Sequence, residues 1–205
     1  MYSKGTVNVR AKPNTKSKIV GIKNWNEPVR VIKKVGKWYQ TLYKSKKRYI
    51  STKHVTAKRK RYRQYASPSS NSFKSCLPAT AITDSSKLPH GRLKKKYRLD
   101  YKTGVYMVED RYCVALGSYY TTKIGTKIDL VLSHKGRKHV LKCILADQKD
   151  DDDTINNHRV HRDGSVAEFV VNSNVMPRKA RYVHGDVSYA GKQFKGKIVA
   201  IRVYK

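Results

Sequence analysis

Cleaving a glycosidic bond takes a group that protonates the leaving oxygen, and hydrolases usually add a second carboxylate. Two acidic residues sit where such work is feasible. Glu168 lies inside Ala167-Glu-Phe-Val-Val171, an otherwise apolar run. A carboxyl group there is expected to be partly desolvated, which raises its pKa toward that of a useful acid. Asp147 ends a second apolar run, Cys143-Ile-Leu-Ala-Asp147, and is placed to orient a sugar or to tune Glu168. The competing role is structural: strand-end carboxylates making turn hydrogen bonds or salt bridges to the abundant Lys.

Other reactive side chains fit recognised chemistry less well. Asp150-Asp-Asp-Asp153, with His158 and His161, offers oxygen and imidazole ligands for a cation. Four consecutive acids cannot all face one ion, and no regular ligand spacing appears. A solvated loop is therefore expected, with no metal and no cofactor. Cys76 and His90 would suit a thiol peptidase only if the Cys opened a helix. Pro78 disfavours helical geometry at the residue before it. Cys113 and Cys143 fall in apolar strands and read as buried thiols. Three cysteines leave one disulfide or three free thiols equally open. Asp84, Asp100, Asp129, Asp163 and Asp186 receive no role.

The elements that must hold these residues are strands. β-branched residues recur in short runs, Tyr is frequent, and long apolar patterns of period 3.6 are absent, so the chain reads as all-β. Strands are expected at 6–10, 18–22, 29–35, 37–43 and 48–51 in the front. In the rear they are expected at 104–108, 112–116, 127–132, 140–146, 167–171 and 197–204. Ile128, Leu130 and Leu132 share one face. Residues 147–165 form a long polar connection, a place where function concentrates.

Charge is the strongest global signal. Forty-six Lys and Arg oppose 14 Asp and Glu, for a net charge of +32. Residues 1–74 hold 21 basic residues and one acid, Glu27, while residues 75–205 hold 25 and 13. The excess favours a polyanionic partner through counterion release. Nucleic acid, an anionic lipid surface and wall teichoic acid all qualify. No nucleic-acid motif accompanies the charge, so nucleic acid ranks last. Lys58-Arg-Lys-Arg-Tyr-Arg63 followed by Ala66-Ser-Pro-Ser-Ser-Asn-Ser72 reads as a basic, Ser-rich linker over residues 58–76. No apolar run approaches the roughly 18 residues of a membrane span. The N-terminus lacks the apolar segment of a signal peptide, so export is expected through a removed leader or phage-type delivery.

Two resemblances sharpen this reading. Val7-Asn-Val-Arg-Ala-Lys-Pro-Asn-Thr-Lys-Ser-Lys-Ile-Val-Gly21, Val29-Arg-Val-Ile32, Gly36-Lys-Trp-Tyr39 and Tyr49-Ile-Ser51 resemble the bacterial SH3 domain. Lys12 and Arg48 depart from the Gly usual at their positions. The resemblance implies a small half-open barrel over residues 1–57 that attaches to peptidoglycan or wall polymer. Trp25, Tyr39, Tyr43, Tyr49 and Arg48 are then its expected wall-binding residues, while Trp38 is expected to serve packing.

Tyr112-Cys-Val-Ala-Leu-Gly117, Ile124-Gly-Thr126, Cys143-Ile-Leu-Ala-Asp147 and Ala167-Glu-Phe-Val-Val171 resemble the double-psi β-barrel of the three-aspartate and membrane-bound lytic transglycosylase A group. That resemblance implies a glycan-cleaving domain over residues 77–205. Asp147 would open the family's Asp-Thr-Gly-like loop, and Glu168 would occupy the acid/base position. Glu stands where the family has Asp, and Gln148-Lys149 replaces Thr-Gly. The expectation is a monomeric, extracellular cell-wall protein acting on peptidoglycan. The alternatives are a non-catalytic binder of anionic wall polymer and, last, a nucleic-acid binder.

Overall fold

The computed structural model describes residues 1–4, 7–23, 27–59, 61–68, 73–182 and 185–204. The chain divides into two compact units, Met1–Arg61 and Tyr62–Lys205. Both are built mainly of strands, so the chain is all-β, as its short β-branched runs predict.

The front unit holds β1 (Tyr2–Ser3), β2 (Val7–Arg10), β3 (Ile19–Lys23), β4 (Val31–Val35), β5 (Trp38–Tyr43), β6 (Lys46–Ser51) and β7 (Val55–Thr56). Five of these make one antiparallel sheet in the order β3-β2-β6-β5-β4, and β1 pairs with β7. The period-2 alternation of β2 turns Val7 and Val9 inward, where they meet Val29, Ile50 and Val55. A core this small gains little from burial, so the turns must carry part of the order.

The rear unit comprises β8 (Tyr62–Ala66), β9 (Ser75–Pro78), β10 (Arg98–Asp100), β11 (Val105–Val108), β12 (Arg111–Leu116), β13 (Lys127–His134), β14 (Arg137–Gln148), β15 (Thr154–Ile155), β16 (Val160–His161), β17 (Ala167–Val171) and β18 (Lys197–Tyr204). Two short helices, α1 (Pro89–Lys94) and α2 (Arg178–Tyr182), interrupt them. The sheet runs β10-β11-β17-β12-β14-β13-β18-β8, with β9 paired to β17. Most pairs are antiparallel, but β12 runs parallel to β14, and β9 parallel to β17.

Parts of the segment expected as a linker over residues 58–76 pair into the rear sheet. Tyr62–Ala66 pairs with β18, and Ser75 and Cys76 pair with Glu168 and Phe169. Tyr62–Ala66 adjoins a basic run and shows no period-2 alternation, so local composition masks a strand that the sheet recruits. The connection 147–165 likewise contains a two-residue hairpin, β15 with β16.

Two apolar layers sandwich the middle of this sheet. Leu141, Cys143 and Leu145 of β14 enter the main core beside Leu116, Ile128, Leu130, Phe169 and Ile201. Ile144 and Ala146 enter a second cluster with Ile82, Val108, Cys113 and Val170, flanked by Leu93 of α1. A strand covered on both faces reads as a continuous apolar run, which is why Cys143–Ala146 shows no alternation. β13 and β14 meet at Lys135-Gly136, both with positive φ, the twist a tight hairpin needs.

Candidate functional site

The pairing of β12 decides where the two candidate carboxylates lie. From Tyr112 to Val114 it pairs residue by residue with Cys143 to Leu145. The register then shifts, and Ala115 faces Asp147. Ala146 is the extra residue of this bulge, and the shift brings Asp147 onto the face of Ala115. Bulges re-aim side chains in this way beside functional sites. On its other side Ala115 pairs with Glu168 of β17, which pairs in turn with Ser75 of β9. Asp147, Ala115, Glu168 and Ser75 therefore form one row across four strands. The two carboxylate residues are separated by two strand spacings, roughly 10 Å between Cα atoms.

Their surroundings differ. Asp147 is partly buried, with its side chain 24% exposed. Burial pushes its carboxyl above the usual aspartate range, and the charge of Glu168 adds to the rise. The Gln148 amide, which donates to Oδ1 at 2.9 Å, and His90 oppose it. His90 Nε2, carried on α1, lies 3.4 Å from the same oxygen.

Glu168 does not have the purely apolar setting that its strand predicts. Lys149, its side chain fully buried, places Nζ 2.9 Å from Glu168 Oε1. The same ammonium donates to Ser165 Oγ at 2.9 Å and to the Ser165 carbonyl at 3.3 Å. Its three donors thus have three acceptors, the condition under which a buried charge is tolerated. Burial still pulls the Lys149 pKa down, while Glu168 pulls it up. Ser75 Oγ donates to Ser165 Oγ at 2.9 Å, and Asp163 Oδ1 accepts from the Ser165 amide at 2.7 Å.

One group of metal-capable atoms occurs in this neighbourhood among the described residues. His161, Asp163 and Glu168 each offer an atom within 4.8 Å of the others. Those atoms already have protein partners: His161 Nδ1 lies 3.0 Å from Asp163 Oδ1, and Glu168 takes Lys149. The aspartate run does not converge on a point. Asp151 Oδ1 accepts from Ser118 Oγ at 2.6 Å, while Asp150 Oδ1 caps the Asp152 amide.

Cys76, Cys113 and Cys143 are free thiols. Burial pushes Cys76 and Cys113 up to about 12 and Cys143 well above its ordinary value. Cys76 lies on β9 and donates to the Gly185 carbonyl at 2.7 Å, while His90 serves Asp147. No thiol–imidazole pair exists between them. Asp129 is structural: Arg111 and the Tyr204 hydroxyl occupy its two oxygens at 3.1 and 2.6 Å.

In the front unit the expected wall-binding set is divided by the pleat. Tyr39 pairs with Ile50, Thr41 with Arg48 and Tyr43 with Lys46, on the face that carries the core. Tyr39 and Tyr43 pack against that core, and Tyr43 also lies between the ammonium groups of Lys23 and Lys44, each 5.9 Å from its ring centre. Arg48 Nη1 donates to the Lys47 carbonyl. Tyr49 faces the other way and accepts from Gln40 Nε2 at 3.0 Å. Trp38 shares the face of Tyr49 and lines a groove of ≈ 450 Å³, so the packing role expected for Trp38 passes to Tyr39. Trp25 lies outside the described residues.

The sequence does not reveal the ion pair of Lys149 with Glu168, the places of Ser165 and Ser75 beside it, or the pairing of His90 with Asp147. The one available signal was Lys149 two residues beyond Asp147, and the abundance of Lys concealed it.

No helix among the described residues is long and apolar enough to cross a membrane. Comparison with curated proteins and with solved structures yields no match to this chain. A family model does match within the front unit: residues 5–56 match the bacterial SH3 domain, a module typical of cell-wall-associated proteins.

Proposed function

We propose that the protein is a peptidoglycan-directed wall protein whose rear unit cleaves glycan strands as a lytic transglycosylase, with Asp147 as the acid and Glu168 as a standing anion. The observation that carries this reading is the shared partner Ala115, which brings together two carboxylates in opposite electrostatic settings. Desolvation favours the neutral form of Asp147, while an ammonium faces Glu168. Carboxyl groups whose settings differ in this sense divide into acid and anion.

The chemistry then needs no external nucleophile. Asp147 gives its proton to the bridging oxygen as the bond from that oxygen to the sugar C1 breaks. Positive charge grows on the ring, and the Glu168 carboxylate stabilises it. The sugar's own 6-hydroxyl attacks C1, and ionised Asp147 takes its proton. Asp147 ends protonated, and the product carries a 1,6-anhydro ring. His90 beside Asp147 holds the carboxyl in place.

Purified sacculi digested by wild type, Asp147→Asn and Glu168→Gln, with mass analysis of soluble fragments, test the reading. Anhydromuropeptides are expected from wild type alone. Equal release by Asp147→Asn would remove the acid assignment, and no release from wild type would remove the enzyme reading.

A second reading, a non-catalytic binder of anionic wall polymer, has its own support. Lys149 stands where the resemblance has Gly, and its ammonium offsets the charge of Glu168. Neither Asp147 nor Glu168 lines the cleft of ≈ 630 Å³ beside α1, which Arg92, Lys95, Lys96 and Ile124 help to form.

A further inference from the structure

The groove of ≈ 450 Å³ on the front unit is lined by Arg10, Lys37, Lys53, His54 and Trp38, with Asn8 and Thr15 at its margin. These basic residues come from three separate places: β2, the turn before β5, and the short turn Thr52–His54 after β6. Two hydrogen bonds join the last two. The Thr52 amide and hydroxyl both donate to the Lys37 carbonyl, at 3.0 and 3.1 Å. This tie holds Lys37 and Lys53 on neighbouring rims. Arg10 Nη1 donates to the Ser17 carbonyl at 2.6 Å, which fixes the guanidinium and leaves further N–H groups to donate.

No carboxylate lines the groove, and Glu27 is the sole acid of residues 1–61. Like charges gathered this way repel one another, and an anionic ligand that releases their counterions is the natural partner. The cations come from separate segments of the chain, so the fitting ligand is one that carries more than one negative charge. Trp38, half-buried in the same groove, offers an apolar wall to the carbon segments that separate those charges. Arg is suited to phosphate oxygens through its fork, and Lys as a point charge.

We infer that this groove binds the phosphodiester backbone of a wall-linked polyol-phosphate polymer, with Arg10, Lys37 and Lys53 on successive phosphates and Trp38 against the polyol. The inference takes from the proposed function only its setting at the wall. It involves neither Asp147 nor Glu168, so fragment release and groove binding fail independently.

The test uses the full chain. Binding is measured to walls that carry polyol phosphate and to the same walls stripped of it by hydrofluoric acid, with poly(glycerol phosphate) and duplex DNA as competitors. Lys37→Ala/Lys53→Ala removes two exposed groove cations, and Lys33→Ala/Lys34→Ala removes two exposed cations elsewhere on the same unit. Circular dichroism melts confirm that both variants fold. The groove variant is expected to bind intact walls about tenfold more weakly, with the slope of log K against log salt reduced by about 1.5. The control variant is expected to stay within about threefold of wild type, and stripped walls to bind wild type weakly. The inference is overturned if the two variants lose affinity equally, if stripping leaves binding unchanged, or if DNA displaces the protein from walls better than poly(glycerol phosphate) at equal phosphate.

Discussion

Asp147 and Glu168 stand opposite the same residue: both are cross-strand partners of Ala115, Asp147 from the parallel strand β14 and Glu168 from the antiparallel strand β17. The methyl of Ala115 keeps the floor between them low. One extra residue, Ala146, puts Asp147 in this row. Without the bulge the 147 side chain would occupy the opposite face, because the side-chain period of a strand is 2.

The raised pKa of Asp147 predicts that activity and stability both fall as pH rises, and that Asp147→Asn moves them in opposite directions. If protonated Asp147 is the acid, cleavage falls as pH rises through its elevated pKa. Stability is linked with a definite sign. Below the ordinary carboxylate range the residue is protonated in both folded and unfolded chains, and its contribution is intact. As pH climbs toward the folded pKa, the unfolded chain ionises first and stability is lost. Asp147→Asn is therefore expected to release no anhydromuropeptides, yet to melt higher than wild type at pH 7 and level with it at about pH 3. A variant that melts lower at pH 7 would show that the Asp147 carboxylate is held favourably, contrary to the desolvation argument.

Lys149→Met tests the buried ion pair. The substitution leaves the partly buried Glu168 carboxyl, with Asp163 nearby, without its ammonium. Breaking such a pair from one side costs about 3–5 kcal/mol. Lys149→Met/Glu168→Gln is expected to recover most of that loss, since no charge is then stranded. Urea unfolding of both variants measures the difference, and equal stability of the two would mean that the pair carries no coupling.

Gly117→Ala addresses the long connection after β14. A Cβ at Gly117 would overlap the carbonyl of His158. His158 follows Asn156 and Asn157 in a run of positive φ, so that loop is constrained already. Overpacking of this kind costs about 1–3 kcal/mol. The expected result is a lower Tm and faster protease cleavage within residues 150–163, and an unchanged cleavage rate would indicate that the loop yields freely.

Tyr97→Phe is expected to be neutral or stabilising. The Tyr97 hydroxyl is buried without a hydrogen-bond partner among the described residues, and its ring flanks the apolar cluster around Val170 and Cys113. Removing an unsatisfied buried hydroxyl relieves about 1–3 kcal/mol of desolvation cost, less any packing lost. A clear drop in Tm would reveal a partner for that hydroxyl, such as ordered water.

What the sequence determined by itself was everything carried by local chemistry. Short runs of β-branched and aromatic residues announced the strands expected at 6–10, 37–43, 127–132 and 197–204, which the structure places at Val7–Arg10, Trp38–Tyr43, Lys127–His134 and Lys197–Tyr204. The motif order around Val7, Trp38 and Tyr49 announced the bacterial SH3 domain. A single acid among the basic residues of the front marked it as the part best suited to a polyanionic partner, because charge is a sum over residues and needs no fold. The tertiary structure decided the rest, since each outcome depends on partners distant in the chain. Recruitment of Tyr62–Ala66 by β18, about 140 residues away, overrode a composition that looked like a linker. The pleat of β5 sent Tyr39 to the core and Trp38 to the groove, a distinction of one residue in register. The burial of one Lys among many, Lys149, set an ammonium 2.9 Å from a carboxyl group whose strand reads as purely apolar. Burial is a property of the packed surroundings, which no single residue type encodes.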